Sequence, residues 1–459
     1  MRVAVFTSKY PARVATFFER DMRGLLDNGM EIDVYCVVPL DRALARYRLA
    51  LLDESVLPAE RLHHIGFWHS LSRLHPWPFG RAGRFLRDAS RICVAAARYG
   101  PVPLAKSAYV MPKAWAWATH AARPRYDHIL AYWGNYSASC AYVFQRMTDS
   151  RTPLSIWLHA GTDLYFKPIF LRQKLLYADS IITCCAFNRD FIARTFGRHG
   201  ATIAKKTHVV YHGVDLTELR YTPDGRAAHT VLAVGSFVPD KGFDYLLRAA
   251  CRVIRSGVAL DVELVGAGPE QRKLVALAER LGIADRVRFR GWLHFNDVQV
   301  AMRRATVLVH PSAGLGDGLP NVIREAMALG TPVIASDVAG ISEALRGGAC
   351  GMLVPTRDEG ALAVAIERLL GDETLRRQLA AAARRHAEAE FDTCATGKRL
   401  AEHLRAVASA RAPGAGLASA LRGPAALAGE LTLARGAQVT AEPGESGAWT
   451  VTGTRERAC

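Results

Sequence analysis

The sequence predicts an α/β protein made of two parallel-sheet domains of similar size, and three observations carry that reading. The chain has 459 residues, long for one domain and suited to two of about 200 residues each plus a tail. Short apolar runs alternate with amphipathic stretches, the pattern of strands joined by crossover helices. The runs fall into two sets of six: 3–6, 32–38, 129–132, 154–158, 181–183 and 208–211, then 231–234, 262–265, 287–289, 307–310, 332–335 and 351–354. Each set makes one Rossmann-like sheet, and a polar run at 221–226 places a boundary near 217–228.

Taken in order, the run at 3–6 is too short, and too soon followed by Lys9 and Pro11, for a signal peptide, so it reads as the first buried strand. No stretch reaches the 18 or more apolar residues of a membrane span. Residues 373–408 show helical spacing, with Leu375, Leu379 and Ala382 and then Phe391, Leu400 and Leu404 at core positions. From about Ala410 the composition turns to Ala, Gly, Pro and Ser, so a disordered tail is expected over 410–459. Nine cysteines without regular spacing fit a reducing cytoplasm, with the neighbours Cys184 and Cys185 as buried free thiols.

The formal charge is +16, and residues 1–215 hold 29 basic against 16 acidic side chains, so nearly all the excess belongs to the first half. Between Arg61 and Arg125 eleven Lys or Arg face the single acid Asp88, interleaved with Trp68, Trp77, Phe79, Phe85, Tyr99, Trp115 and Trp117. Basic residues attract anionic surfaces and aromatic rings settle at the lipid headgroup level. The segment therefore reads as a face for an anionic membrane surface, against a solvated helical face with ordinary core aromatics. No nucleic-acid motif accompanies the charge.

The most informative stretch is 310–332, which sets Asp317 in a glycine-rich loop and Glu325 in the helix after it. Pro320 and Asn321 suit a first helical turn, Gly330 closes the helix, and Pro332 prevents its continuation. Such a loop offers backbone N–H groups to a phosphate, and the helix dipole adds about half a positive charge there. A carboxylate one turn further in accepts hydrogen bonds from a ribose diol. Together these read as a nucleotide-sugar pocket.

In these residues the chain resembles the family 4 retaining glycosyltransferases, the group 1 transferases of GT-B fold, in the style of bacterial exopolysaccharide transferases. The spacing from Asp317 to Glu325 matches the family's Glu, seven residues, Glu, with Asp in place of the first Glu. Pro311-Ser312, Gly318-Leu319-Pro320 and Glu325 to Ala328 match as well. The resemblance spans roughly residues 1–405 and is specific from about 230 to 355. It implies two Rossmann-like domains facing each other across a cleft: an acceptor-side domain at 1–216, a nucleotide-sugar domain at 217–390, and a C-terminal helix at 391–409 that crosses back to the first. Residues 211–215, Tyr-His-Gly-Val-Asp, resemble the family's linker.

The resemblance also implies roles. Lys241, in the turn that begins with Gly235 and Ser236, stands where the family binds diphosphate. The family commonly has arginine at the position of Ser236, and Arg324 and Arg346 are candidates to replace it. Gly266, Gly268 and Pro269 match a Gly-x-Gly-Pro turn, and Gly291 and Trp292 the turn that holds the base. Gly318, Leu319, Pro320 and Asn321 border the phosphates, Glu325 takes the ribose and Asp317 the sugar hydroxyls. His159 reaches the donor sugar from the first domain, with Asp163 near it. Residues 9–19 resemble an acceptor-side loop, with Val14-Ala15-Thr16 where the family has Ser-Glu-Thr; Glu19 is at helical spacing to pair with Arg23.

No Asp-x-Asp motif and no His/Cys cluster with ligand spacing is present, so no metal and no cofactor is expected. The expected function is transfer of a sugar, with retention, from a nucleoside-diphosphate sugar to a polysaccharide or lipid-linked saccharide. The family's mechanism is front-face departure and attack within one ion pair. The expected place is the cytoplasm, at the inner face of the membrane. A nucleotide-sugar epimerase of the same fold and a non-catalytic nucleotide-sugar-binding protein are the alternatives.

Overall fold

The computed structural model of the chain describes residues 1–10, 16–38, 56–74, 79–120, 123–148, 151–411, 439–443 and 449–453. Strands β1 (Arg2–Thr7), β2 (Glu31–Cys36), β3 (Leu62–His64), β4 (His128–Ala131), β5 (Leu154–Leu158), β6 (Ser180–Thr183) and β7 (Thr207–Val209) form one sheet, ordered β3-β2-β1-β4-β5-β6-β7. Strands β8 (Thr230–Val234), β9 (Asp261–Val265), β10 (Val287–Gly291), β11 (Val307–His310), β12 (Val333–Ser336) and β13 (Met352–Val354) form the second, ordered β10-β9-β8-β11-β12-β13. Both sheets are parallel throughout. The strand order reverses beside β1 in one and beside β8 in the other, and ligands of such sheets bind at the carboxyl ends of the strands at that point.

All twelve expected strands are present. They read as continuous apolar runs because each sheet is covered on both faces: Val3 and Val5 pack in one layer, Ala4 and Phe6 in the other. The strand that the first sheet gains beyond the expected ones is β3, an edge strand of Leu62, His63 and His64. Its stability comes from a polar contact that no apolar pattern announces: His63 stacks on Tyr35 at 4.5 Å and its Nε2 lies 3.3 Å from Asp33 Oδ1.

The segment between Arg61 and Arg125 divides in two. Phe85, Trp115 and Trp117 are core residues, and Lys113 is buried, donating to the Val37 carbonyl at 2.9 Å and to Tyr109 Oη at 3.2 Å. Asp88 pairs with Arg146 at 2.5 Å. Trp68 is 78% exposed, and Leu86, Val94 and Val102 are exposed too. Trp77 and the Phe79 side chain lie outside the described residues. Among the described residues, no helix is long and apolar enough to cross a membrane.

The helical stretch after residue 372 is two helices, Glu373–Glu390 and Thr393–Ala410. Asp392 breaks it, because its carboxylate caps the second helix through Ala395 N–H at 2.9 Å. At the same point Val214 N–H donates to the Phe391 carbonyl at 2.7 Å and Thr393 N–H to the Val214 carbonyl at 3.1 Å, so the two chain passages between the domains are bonded together. The first helix packs Ala383 and Ala387 on the second domain; the other brings Leu400, Ala401 and Leu404 against Val3, Met22 and Leu25 of the first. Most of the tail lies outside the described residues. Within it β14 (Val439–Pro443) and β15 (Trp449–Gly453) pair antiparallel, in a unit separate from residues 1–414.

Helix Thr393–Ala410 crosses helix Thr16–Asp27 where two glycines meet: a Cβ on Gly24 would lie 2.8 Å from Gly397 Cα. That neighbour is backbone and cannot turn aside. Gly24→Val is therefore expected to lower the unfolding free energy by about 2 kcal/mol, measured by urea denaturation. Gly83→Val, on a helix with open space around it, serves as the control and should change stability by well under half of that.

Candidate active site

The loops after β8 and β11 touch through their backbones. A Cβ on Gly242, whose φ is +63°, would overlap the Pro311 carbonyl, and Ala313 N–H donates to the Asp240 carbonyl at 2.8 Å. This contact sets Lys241 beside Asp317, and Lys241 Nζ is bonded to Asp317 Oδ1. The other carboxylate oxygen accepts from Ser312 Oγ at 2.7 Å and faces His310 Nε2 at 2.8 Å. Burial acts to raise the Asp317 pKa, but the charges of Lys241 and His310 and their hydrogen bonds outweigh it and hold the carboxyl well below the usual range.

Eight residues on, Glu325 lies in helix Asn321–Leu329, which begins at Pro320 and ends at Gly330 with φ +78°. Glu325 is only 7% exposed. Its Oε1 accepts from Arg20 Nη1 and Nη2, both at 3.3 Å, and Arg20 belongs to helix Thr16–Asp27 of the first domain. The Arg20 guanidinium lies 5.2 Å from the Phe295 ring centroid. The neighbouring Arg324 is fully buried and bonds the His212 carbonyl and Asn321 Oδ1, and burial draws its pKa down to about 10. It ties the linker to the helix. Arg346 is exposed and lies beside Cys350 and His386. Neither arginine stands in for the one missing at Ser236.

Across the cleft, His159 follows β5, with both ring nitrogens buried and without hydrogen-bond partners. Its ring stacks on His212 at 4.9 Å and 8° and lies tilted by 30° against Trp133 at 4.2 Å. His212 Nδ1 is 2.6 Å from Asp21 Oδ2, which also accepts from Tyr132 Oη. Asp163 accepts from the N–H groups of Gly134 (3.2 Å), His159 (3.1 Å) and Ala160 (3.2 Å), so it shapes the turn that carries His159. The two domains touch here: a Cβ on Gly318 would come within 2.9 Å of Ala160 Cβ and 3.0 Å of the His159 carbonyl.

Two of the remaining glycine turns are close backbone approaches. A Cβ on Gly266 would overlap the Gly235 carbonyl, and one on Gly268 the Phe237 backbone. Gly291, at φ +66°, has open space around it, and its carbonyl accepts from Gly266 N–H at 2.8 Å. Ser236 is exposed, and Trp292 is 57% exposed, so Trp292 is not a packing residue. Leu319 is buried, and its carbonyl faces Arg324 Nη2 at 3.5 Å.

The structure thus gathers Lys241, Asp317, Glu325, His159 and the Gly318–Asn321 turn at one cleft. Arg20, Asp21, His212, His310 and Ser312 join them unforeseen; the ion partner of Glu325 comes from 305 residues away, beyond any local spacing. Residues 11–15 of the acceptor-side loop lie outside the described residues, and Glu19 accepts from Tyr10 Oη at 3.3 Å.

Two parallel-sheet domains meeting at the carboxyl ends of their strands are the GT-B architecture, and solved structures of that class match both domains. Sucrose-phosphate synthase from Thermosynechococcus elongatus superposes with a TM-score of 0.65 at 20% identity over 89% of this chain and 100% of that one. HepE from Anabaena, solved in complex with UDP, gives 0.61 at 20% identity over 88% and 99%. Residues 228–372 match the family model described as glycosyl transferases group 1, so the resemblance to that family holds. A D-inositol 3-phosphate glycosyltransferase from Geodermatophilus obscurus is 38% identical over 245 residues, 48% of this chain and 53% of that protein. The chain spans about half the length of the curated relatives it matches.

Burial lowers the His212 pKa to about 4 although Asp21 acts the other way. Folded His212 thus stays neutral where the unfolded residue, near 6.5, takes up a proton. Its contribution to stability is complete above about pH 6.5 and is lost as the pH falls toward 4. Between pH 7 and pH 5 it should remove about 2 kcal/mol, and His212→Asn should flatten that part of the pH dependence in denaturant titrations.

Proposed function

We propose that this chain is a retaining glycosyltransferase that moves a sugar from a nucleoside-diphosphate sugar to a saccharide or lipid-linked acceptor, working at the cytoplasmic face of a membrane. The observation that carries the reading is the Lys241–Asp317 pair at the carboxyl ends of β8 and β11, one helix start from Glu325 and across the cleft from His159. A diphosphate seated there takes Lys241 as its counter-ion, and the released Asp317 carboxylate accepts hydrogen bonds from the sugar hydroxyls. Glu325 holds Arg20 on Oε1, which leaves Oε2 for a ribose hydroxyl.

As the glycosidic bond breaks, negative charge grows on the β-phosphate, and Lys241 stabilises it more in the transition state than in the ground state. His159, whose Nδ1 lies 3.8 Å from Asp163 Oδ2 and whose Nε2 has no hydrogen-bond partner, supplies a hydrogen bond to the sugar from the first domain. The acceptor hydroxyl enters on the face from which the diphosphate leaves, which retains configuration, and its proton passes to the leaving β-phosphate oxygen as the new glycosidic bond forms. In this reading Lys241 and the helix start carry the charge compensation, and no divalent ion is required.

The membrane part rests on the first domain. Exposed Trp68, Leu71, Leu74, Leu86, Val94 and Val102 lie within one segment, with Arg87, Arg91 and Arg98, which are exposed as well, and the half-buried Arg73. Apolar side chains flanked by cations suit an anionic bilayer surface.

Steady-state kinetics with a nucleoside-diphosphate sugar test the catalytic part. Lys241→Ala should lower kcat by about 10²- to 10³-fold with a smaller rise in KM, and Glu325→Gln should act mainly on donor KM. A chelator should leave turnover unchanged. Loss of donor binding without loss of kcat in Lys241→Ala would refute the transition-state role, and product with inverted configuration would refute retention.

A further inference from the structure

A concavity of about 540 Å³ opens in the first domain between the end of helix Phe79–Ala97, the segment entering helix Leu171–Tyr177, and the turn Gly197–His199. Three guanidinium groups, those of Arg98, Arg172 and Arg198, line it, and no carboxylate does. Tyr99, Phe170 and Phe196 add ring surface. Phe170 stands at φ 51° and ψ 22°, a left-handed conformation that a bulky residue rarely adopts. Strain of that kind is concentrated at ligand sites.

The concavity is also the end of a stripe. Arg87, Arg91 and Val94 follow one another at i, i+4 and i+7 along helix Phe79–Ala97, and Arg98 continues their line into the concavity. All four are exposed. Among the described residues no carboxylate lines the concavity beside Arg98, Arg172 and Arg198, and like charges around one concavity repel one another, a repulsion that an anion between them lowers. The guanidinium fork fits phosphate oxygens in pairs, and tyrosine and phenylalanine tolerate the boundary between headgroup and acyl chain. The wall of the concavity also leads to the cleft: Gly161, nine residues before Phe170, faces Gly316 of the second domain, where a Cβ would lie 3.5 Å from its carbonyl oxygen.

We propose that this concavity binds the phosphate of an anionic membrane lipid headgroup and is the specific end-point of the basic face. The inference rests on the membrane reading above and narrows it from a diffuse surface to one site. A headgroup held by Arg98, Arg172 and Arg198 fixes the first domain on the bilayer next to the segment that runs to the cleft.

The test compares two charge-matched variants of the full chain in co-sedimentation with phosphatidylglycerol and phosphatidylcholine vesicles. One is Arg98→Gln/Arg172→Gln/Arg198→Gln; the other, Arg87→Gln/Arg91→Gln/Lys106→Gln, removes the same charge outside the concavity. The native chain should bind phosphatidylglycerol vesicles and release them as salt rises. The concavity variant should bind them about tenfold or more weaker, the control variant only a few-fold weaker. Soluble glycerol phosphate should compete with vesicles for the native chain and the control variant, and not for the concavity variant. Equal losses in both variants, with no competition, would overturn the phosphate site and leave the membrane reading standing. No binding of the native chain to phosphatidylglycerol vesicles, or equal binding to phosphatidylcholine, would overturn both. An unchanged melting temperature in each variant verifies that the fold is intact.

Discussion

The arrangement of the cleft depends on one ion pair, Lys241 with Asp317. It joins the two loops that follow the central strands β8 and β11, and its carboxylate also gathers His310 and Ser312. It acts together with the backbone contact of the same two loops, where Gly242 meets the Pro311 carbonyl and Ala313 N–H donates to the Asp240 carbonyl. A consequence follows for charge. Asp317 already neutralises the lysine, so under the proposed function a diphosphate meets no free cation at that position. Under the proposed function, binding exchanges one partner of Lys241 for another, and the exchange sets Asp317 free for the sugar.

A second constraint ties this loop system to the first domain. Helix Thr16–Asp27 presents Arg20 to Glu325 and Asp21 to His212, while Arg324 holds the His212 carbonyl. Adjacent residues on one helix therefore grip adjacent residues on another through the linker. The Gly24–Gly397 crossing holds the same helix against the C-terminal helix. Motion of the domains cannot leave Glu325 unaffected, because its counter-ion belongs to the other side.

Much of this was legible in the sequence. The strands buried on both faces appear as unbroken apolar runs, and the helix Asn321–Leu329 was bounded by Pro320 and Gly330 because each residue imposes a backbone conformation. Lys241, Asp317 and Glu325 were reached through their spacing and their resemblance to a family. What escaped was long-range and polar. The edge strand β3 has no apolar run, since an imidazole–tyrosine stack holds it. Arg20 meets Glu325 across 305 residues and Asp21 meets His212 across 191, and helical spacing from Glu19 to Arg23 pointed elsewhere. Arg324 looked like a spare cation because sequence does not show that its side chain is fully buried.

The measurement that goes most directly to the exchange of partners at Lys241 is calorimetric binding of the free nucleoside diphosphate, without sugar, to the native chain and to Asp317→Asn. If the pair must open for the diphosphate to enter, the substitution releases Lys241, and the diphosphate should bind about tenfold more tightly to the variant while sugar transfer falls. Unchanged or weaker diphosphate binding by Asp317→Asn would contradict the account.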